Sequence, residues 1–400
     1  MSDANRPKIP RNVLVVAFVA LFSGFGQDLI TPVLPAYLAL IGIDRAGIGL
    51  IDGLLQGSTS FFRFVSGLLS DRFRNRKFFV FLGYTLSSVS RPMLAIAGSF
   101  WSIATLRFLD GVGKGTKDAP RDALVADSAQ VENRGRAFGF HRLIDTAGSV
   151  VGPLVAAAFL FILTPSLAAY RLIFAVALIP GAAALALIAF GIKESKKPAD
   201  GKIKIKGKFS APFWVFTAGT TIAMLSKIND SLFLIRAHDI GISRAWIPVL
   251  FAGFTLLYAL LSYPIGIWSD KIGKLPLIAA GWLVLSVVEF GFSRDPGLVA
   301  ALALFGLFGL FYALTEGSGR ALIADFVAPE ARGSAYGIFY TVTGIALIAG
   351  GFLLGSLWDR SSPESAFRLS ALGSLIGFLV LGGLALFHRK KISVPSIIDP

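Results

Sequence analysis

The chain has no cysteine. Disulfides, thiolate metal sites and cysteine nucleophiles are therefore excluded. Only three histidines and three methionines occur, too few to suggest a transition-metal site, and neither a metal nor a cofactor is expected. Charge is scarce as well, at 16% of residues against about 25% in soluble domains. No G-x-x-x-x-G-K-[ST] run is present, which argues against an ATP-driven pump. The eye-catching GVGKGTKD at 111–118 lacks that spacing. The first apolar run, from Val13, is long and lacks a small-residue cleavage site after a short core, so no cleavable signal is expected. Nothing in this composition points to an enzyme.

What fills the chain instead is apolar. Hydrophobic residues make up 54%, mean hydropathy is +0.71, and there are 35 phenylalanines and 43 glycines. That is the composition of a polytopic membrane protein. The net charge of +14 does not imply nucleic acid, because the basic residues sit in short loops between apolar runs, the positive-inside pattern. Against this background Arg107 to Asp127, RFLDGVGKGTKDAPRDALVAD, stands out. At 100° per residue Arg107, Asp110, Lys114, Lys117, Asp118 and Arg121 share one helical face, about 21 Å long. Each charge at membrane depth costs roughly 2.5–3.5 kcal/mol or more unless it meets water or a partner.

Twelve apolar segments reach spanning length, at about 12–40, 47–70, 77–98, 101–125, 134–163, 168–192, 211–239, 245–268, 275–293, 297–323, 332–357 and 365–388. The fold expected is all-α, with twelve transmembrane helices. Loops rich in lysine and arginine alternate with poor ones. The rich set includes Arg6, Lys8 and Arg11, then Arg72 to Lys77, then the lysines between Lys193 and Lys208, and finally Arg389 to Lys391. Both termini and the 193–210 break are therefore expected in the cytoplasm, with the spans in the cell inner membrane and the linker lysines on anionic headgroups. This break separates a six-helix bundle at 1–192 from another at 211–400.

The halves repeat. ALVAD ending at Asp127 matches ALIAD ending at Asp325, Asp118 falls on Glu316, and GLLSDR from Gly67 to Arg72 matches GIWSDK from Gly266 to Lys271. Gln27-Asp28 resembles Asn229-Asp230. Two six-helix halves in one orientation form a parallel repeat about an axis along the membrane normal, a symmetry that suits alternating access to a midplane site.

These motifs resemble the major facilitator superfamily along nearly the whole chain, in particular its twelve-helix, drug:proton antiporter-like branch. The loop Gly67 to Lys77 and its copy Gly266 to Lys274 look like the family's cytoplasmic signature, although Arg74-Asn75 stands where a single glycine is usual. Arg107 to Gly113 resembles the fourth-helix motif, which implies a role for Arg107 in proton coupling. Gly148 to Pro153, GSVVGP, resembles the antiporter motif of the fifth helix, but Ala156-Ala157 replaces its glycine pair. Close helix packing is the plainer reading of Gly148 and Gly152. The resemblance implies two bundles related by a pseudo-two-fold axis, with a cavity lined by the first, fourth, seventh and tenth helices. Asp110, Lys114, Lys227 and Glu316 are the cavity candidates on those helices.

Coupling needs a carboxyl that is alternately protonated and charged. Apolar surroundings favour the neutral form and a nearby cation the charged one. Asp28 has no basic neighbour on its own segment nearer than Arg11, so it is the first candidate. A fixed ion pair with the fourth segment is its structural alternative. Asp230 ranks second, because Lys227 lies one turn away. At the cytoplasmic ends Asp71 and Arg72, with Asp122 or Asp127 in reach and Asp270 and Lys271 as a second copy, form a candidate ionic latch. Arg107–Asp110 and Asp110–Lys114 have spacings that permit self-neutralisation, so a purely structural face is the alternative there.

The function expected is secondary transport of a small organic solute, coupled to protons and directed outward. Import of an organic anion by symport, and flipping of lipid on the same fold, remain open alternatives. The expected partners are the solute, protons and membrane lipid, with no nucleic acid, and the chain is expected to act as a monomer.

Overall fold

The computed structural model describes residues 9–73, 75–130, 133–192, 209–327 and 331–392. Among the described residues, fifteen helices account for the twelve passes. The first half contains α1 (Arg11–Ile30), α2 (Leu34–Leu40), α3 (Arg45–Phe73), α4 (Arg76–Met93), α5 (Phe100–Ser128), α6 (Arg134–Leu163), α7 (Leu167–Val176) and α8 (Leu178–Gly191). The second contains α9 (Ala211–Ser226), α10 (Asp230–Asp239), α11 (Ile247–Ile272), α12 (Lys274–Phe292), α13 (Leu298–Asp325), α14 (Arg332–Arg360) and α15 (Pro363–Ile392). The pairs α1–α2, α7–α8 and α9–α10 are single passes with a bend or a break.

Eight stretches among the described residues are long and apolar enough to cross a membrane unaided. The other four passes are α3, α4, α5 and the α9–α10 pair. The first three carry charges along their length, such as Asp52 and Arg63 on α3. The last is divided into pieces of 16 and 10 residues. These four passes cross only because neighbouring helices meet their polar groups. Outward faces are apolar: Phe190, Val299 and Ile96 are 87%, 82% and 80% exposed, the inverse of a soluble surface and suited to lipid.

Chain direction follows from end-to-end contacts. Asn12 Nδ2 donates to Ser128 Oγ at 3.3 Å, and Lys77 Nζ donates to the Ile192 carbonyl at 2.9 Å. In the second half Ser210 Oγ donates to the Phe326 carbonyl at 3.0 Å. These contacts mark one face, called here the linker side because residues 192 and 209 lie on it. The linker residues 193–208 themselves, with Arg6, Lys8 and Arg74, lie outside the described residues.

Glycine sets two helix contacts. A Cβ on Gly148 or Gly152 would collide with the backbone carbonyls of Leu21 and Phe25 on α1, so the α6 motif is where two backbones touch, the small-residue packing of membrane helices. Pro153 follows, buried inside the same helix. Between the halves α3 lies against α14, where Gly49 meets the Gly351 backbone and Gly53 meets Ile348.

Across from the linker side a carboxylate spans the two halves. Asp359, at the end of α14, accepts from the backbone N–H of Arg45 (3.2 Å) and Ala46 (2.8 Å) at the start of α3. It caps a helix of the other half and meets its positive dipole end. Removing such a cap costs about 0.5–2 kcal/mol. Asp359→Ala should therefore shift the population toward a form open on this side by roughly twofold to thirtyfold. A cysteine placed at Phe251, introduced into the cysteine-free chain, should react faster with an impermeant thiol reagent added from that side. An unchanged rate would show that the cap does not hold the halves.

Candidate functional site

The charged face of α5 begins with Asp110, which is 1% exposed. Arg91 Nε on α4 donates to its two oxygens at 3.1 and 3.3 Å, and Arg107 Nη1 donates to Oδ2 at 3.2 Å. Arg91 also donates to the Ser23 carbonyl at 2.9 Å and to Gln27 Oε1 at 3.3 Å. Arg91 thus ties α1, α4 and α5 together. The i,i+3 pair Arg107–Asp110 forms as its spacing allows. Asp110 itself lies inside the first half rather than on a cavity wall, because two guanidiniums hold it there. Arg107 Nε is buried without an acceptor among the described residues.

One turn toward the linker side, Lys114 is half-buried and makes no hydrogen bond or ion pair among the described residues. The expected Asp110–Lys114 pair does not form, since both oxygens of Asp110 face arginines. Asp28 on α1 is 6% exposed and makes no ion pair among the described residues. Its Oδ1 accepts from Gln27 Nε2 at 3.3 Å, with the Ser149 hydroxyl of α6 beside it and the charge of Lys114 acting on it.

Further along α5, Lys117 is buried with its Nζ 4.4 Å from the centre of the Tyr84 ring. Asp118 pairs with Arg63 of α3, and Arg121 lies 3.6 Å from it. Asp122 is engaged by Arg121 at 3.0 Å. At the linker side Asp127 pairs with Arg76, which also donates to the Ala123 carbonyl at 3.1 Å. Shifted by 198 residues, Lys274 pairs with Asp325 at 2.7 Å. Each of these two pairs stays inside its own half. Arg72 and Lys271 are exposed, as is Gly266, while Gly67 faces Ala119. The side chains of Asp71 and Asp270 lie outside the described residues.

In the second half the seventh pass is broken, where a continuous helix over 211–239 was expected. Residues 227–229 are not helical. Asn229 restarts the helix by accepting from the Leu232 N–H at 3.3 Å, and its Nδ2 donates to the Gly49 carbonyl of the other half at 2.9 Å. Asn and Asp are favoured at such positions because their side chains satisfy free N–H groups. The break sets Lys227 Nζ against Asp230 Oδ1 at 3.1 Å. Tyr312 Oη of α13 donates to both Asp230 oxygens at 2.7 and 2.8 Å. Asp52 on α3 is buried and accepts from the Ser231 N–H at 3.3 Å. Phe233, Phe251, Phe254, Phe305 and Phe308 form an aromatic wall beside Asp230.

A third cluster bridges the halves. Arg142 Nη2 of α6 donates to Tyr258 Oη of α11 at 2.6 Å, and that hydroxyl donates to Glu316 of α13. Arg142 stands 3.9 Å from Asp145, so its main partner is across the interface rather than on its own helix.

Arg91, Asp52, Tyr312 and Tyr258 are the residues that sequence reasoning did not place. Arg91 and Asp52 were visible as charges inside spans. The two tyrosines carried no signal among many aromatics.

The geometry has clear relatives. The family model described as Major Facilitator Superfamily matches residues 16–226 and again 215–396. An MFS-type transporter of Methanocaldococcus jannaschii is 30% identical over 389 residues, covering 95% of this chain and 96% of the relative. The multidrug resistance protein MdtH of an Enterobacter species is 29% identical over 371 residues, covering 88% of each. Among solved structures, a POT family transporter in complex with a thioalcohol-conjugated peptide superposes with a TM-score of 0.76 at 12% identity, covering 96% of this chain and 97% of that one. On these matches and on its fold, the chain is a multi-pass membrane transporter that belongs to the major facilitator superfamily.

Proposed function

We propose that the chain exports small organic solutes in exchange for protons. Its halves, residues 1–192 and 211–400, rock about a site between α1, α5, α9–α10 and α13. The linker side faces the cytoplasm of the inner membrane, in keeping with the lysine and arginine asymmetry, and the chain works as a monomer. The observation that carries the reading is Asp28. It is a buried carboxyl with no ion pair among the described residues, and the charge of Lys114, which also has none there, acts on it. A structural salt bridge would have closed. An open acid–base pair leaves a carboxyl free to exchange a proton and a cation free to meet it.

In this reading Asp230, held by Lys227 and Tyr312, is the counterpart acid, and Arg107 joins Asp28 and Asp230 in proton coupling. The solute lies between Lys114, Lys227, Glu316 and the aromatic wall. The latch is assigned to Asp71 and Arg72 with Asp122 or Asp127, and to Asp270 and Lys271 as its second copy, in the motifs that begin at Gly67 and Gly266; Arg76–Asp127 and Lys274–Asp325 brace each half from within. Export agrees with the multidrug name carried by one group of relatives. The ammonium of Lys114, unpaired among the described residues, favours a second reading, uptake of an organic anion together with a proton.

Proteoliposomes separate the two. Cationic, neutral and anionic solutes are offered with a pH gradient of either sign. Exchange predicts solute moving against the proton flow, whereas movement of an anion with the protons selects symport. Transport indifferent to the gradient would overturn proton coupling altogether.

A further inference from the structure

Glu289 belongs to none of the clusters above. It lies on α12, is 0% exposed, and has no ion pair among the described residues. Burying a carboxylate without a partner is costly, and an ionisable group inside a membrane span calls for a functional account. Its surroundings are specific. Ser370 and Ser374, one turn apart on α15, each donate a hydroxyl to a different carboxyl oxygen, Ser374 at 2.6 Å. Ser370 Oγ in turn accepts the backbone N–H of Ile228 at 2.8 Å.

Ile228 sits in the middle of the break between α9 and α10. In an unbroken helix its N–H would bond to the carbonyl of Met224, four residues back. Here that donor is diverted to Ser370, whose own proton is committed to Glu289. A continuous chain of hydrogen bonds therefore runs from a buried acid to the backbone that positions Lys227, Asn229 and Asp230.

We propose that Glu289 is a second proton-binding site, outside the central cavity, whose charge state controls the break in the seventh pass. The proton adds to one carboxyl oxygen and removes one negative charge, and no other covalent bond changes. With the carboxylate ionised, both serine hydroxyls must donate to it. Ser370 Oγ then has its lone pairs free for Ile228, which is the arrangement observed. With the acid neutral, Glu289 donates its own proton to a serine hydroxyl, that serine must turn its O–H away, and the negative charge that draws the Ile228 N–H to this site is gone. The Ile228 N–H is then released toward Met224, and the break can rewind. Rewinding would turn Lys227 and Asp230 relative to Tyr312 and withdraw Asn229 from the other half.

The groups facing Glu289 are few. Two hydroxyls come from α15. From the break come the Ile228 N–H and the charge of Lys227, whose ammonium is engaged by Asp230 and Tyr312. Nearby α12, α13 and α9 meet through apolar side chains, among them Trp282, Phe311 and Ala223. The titration of Glu289 is therefore felt at Ile228 both directly and through Ser370.

This site adds to the proton-coupled reading, and it can be tested without any solute. Purified protein in lipid is titrated with acid while the infrared carbonyl stretch of protonated carboxyl groups is recorded. The expected result is a band that grows on acidification in the parent and is lost in Glu289→Gln, an isosteric and permanently neutral variant. Amide exchange over residues 222–232, corrected for its intrinsic pH dependence, should change with pH in the parent but not in Glu289→Gln or Ser370→Ala. A band unaffected by Glu289→Gln overturns the proposal, as does a Glu289 band that is constant across the titration, since the acid would then be purely structural. If Glu289→Gln does not fold, Ser374→Ala should shift the same band, and no shift counts against the site. Loss of proton-driven transport in Asp28 variants with the Glu289 band intact would separate this site from the coupling acid.

Discussion

Asp110→Asn should be among the most damaging single substitutions in the protein. The side chain keeps its shape, but the only carboxylate that pairs with Arg91 and Arg107 among the described residues is gone. Arg91 and Arg107 are each 3% exposed and would be left, among the described residues, with neutral acceptors: the Ser23 carbonyl and hydroxyl, Gln27 Oε1 and the new amide. Breaking a buried pair by removing one partner costs about 3–5 kcal/mol, and here one acid serves two bases. The expected result is a large fall in the melting temperature in detergent, followed by loss of transport. Replacing the whole cluster is expected to be milder, because removing every charge leaves none unpaired. Arg91→Met, Arg107→Met and Asp110→Leu combined should recover most of the stability. A near-parental melting temperature for Asp110→Asn would show that solvent reaches the cluster. If the triple variant is stable but does not transport, Arg107 acts in coupling beyond packing, and an active triple variant would make the face purely structural.

That cluster shows what the sequence could and could not disclose. The i,i+3 spacing of Arg107 and Asp110 follows from helix geometry, and the pair forms. Arg91, which lies 19 positions earlier, becomes a partner only when α4 packs on α5, and no local pattern encodes that contact. The repeat between the halves was legible because paired motifs keep their spacing. It reappears in space as Arg76–Asp127 and Lys274–Asp325. The break at 227–229 was hidden for a physical reason. Neither glycine nor proline marks it, and the apolar run of α9 resumes in Leu232 to Ile235 beyond it. Its cause is tertiary: Ser370 takes the Ile228 donor, Asn229 reaches Gly49, and together they offset the lost helical hydrogen bonds. Asp52 was overlooked because no charged residue lies within a turn of it along its span, and it gains meaning only when α10 brings the Ser231 N–H to it.

Asp28→Asn should remove the link between the pH gradient and the solute while leaving the solute site in place. The amide is the same size, keeps an acceptor for Gln27 and Ser149, and cannot exchange a proton. A gradient of one pH unit supplies about 1.4 kcal/mol per proton, enough for roughly tenfold accumulation of solute when one proton moves per cycle. In proteoliposomes the parent should approach that ratio and Asp28→Asn should fall to equality across the membrane, with solute binding or exchange retained. Asp28→Glu should keep part of the coupling, because the carboxyl remains but its longer side chain shifts it relative to Ser149 and Lys114. The competing explanation is that Asp28 only holds α1 against α6. Under that reading both variants would lower stability and exchange together, and neither would change the accumulation ratio of the protein that remains. Gradient-driven accumulation by Asp28→Asn at the parental ratio would send the proton elsewhere, with Asp52 and Asp230 next in line. Asp230 is already held by Lys227 and a tyrosine hydroxyl, whereas Asp52 is a buried carboxyl with a single backbone donor and no ion pair among the described residues. The same measurement on Asp52→Asn would then decide between them.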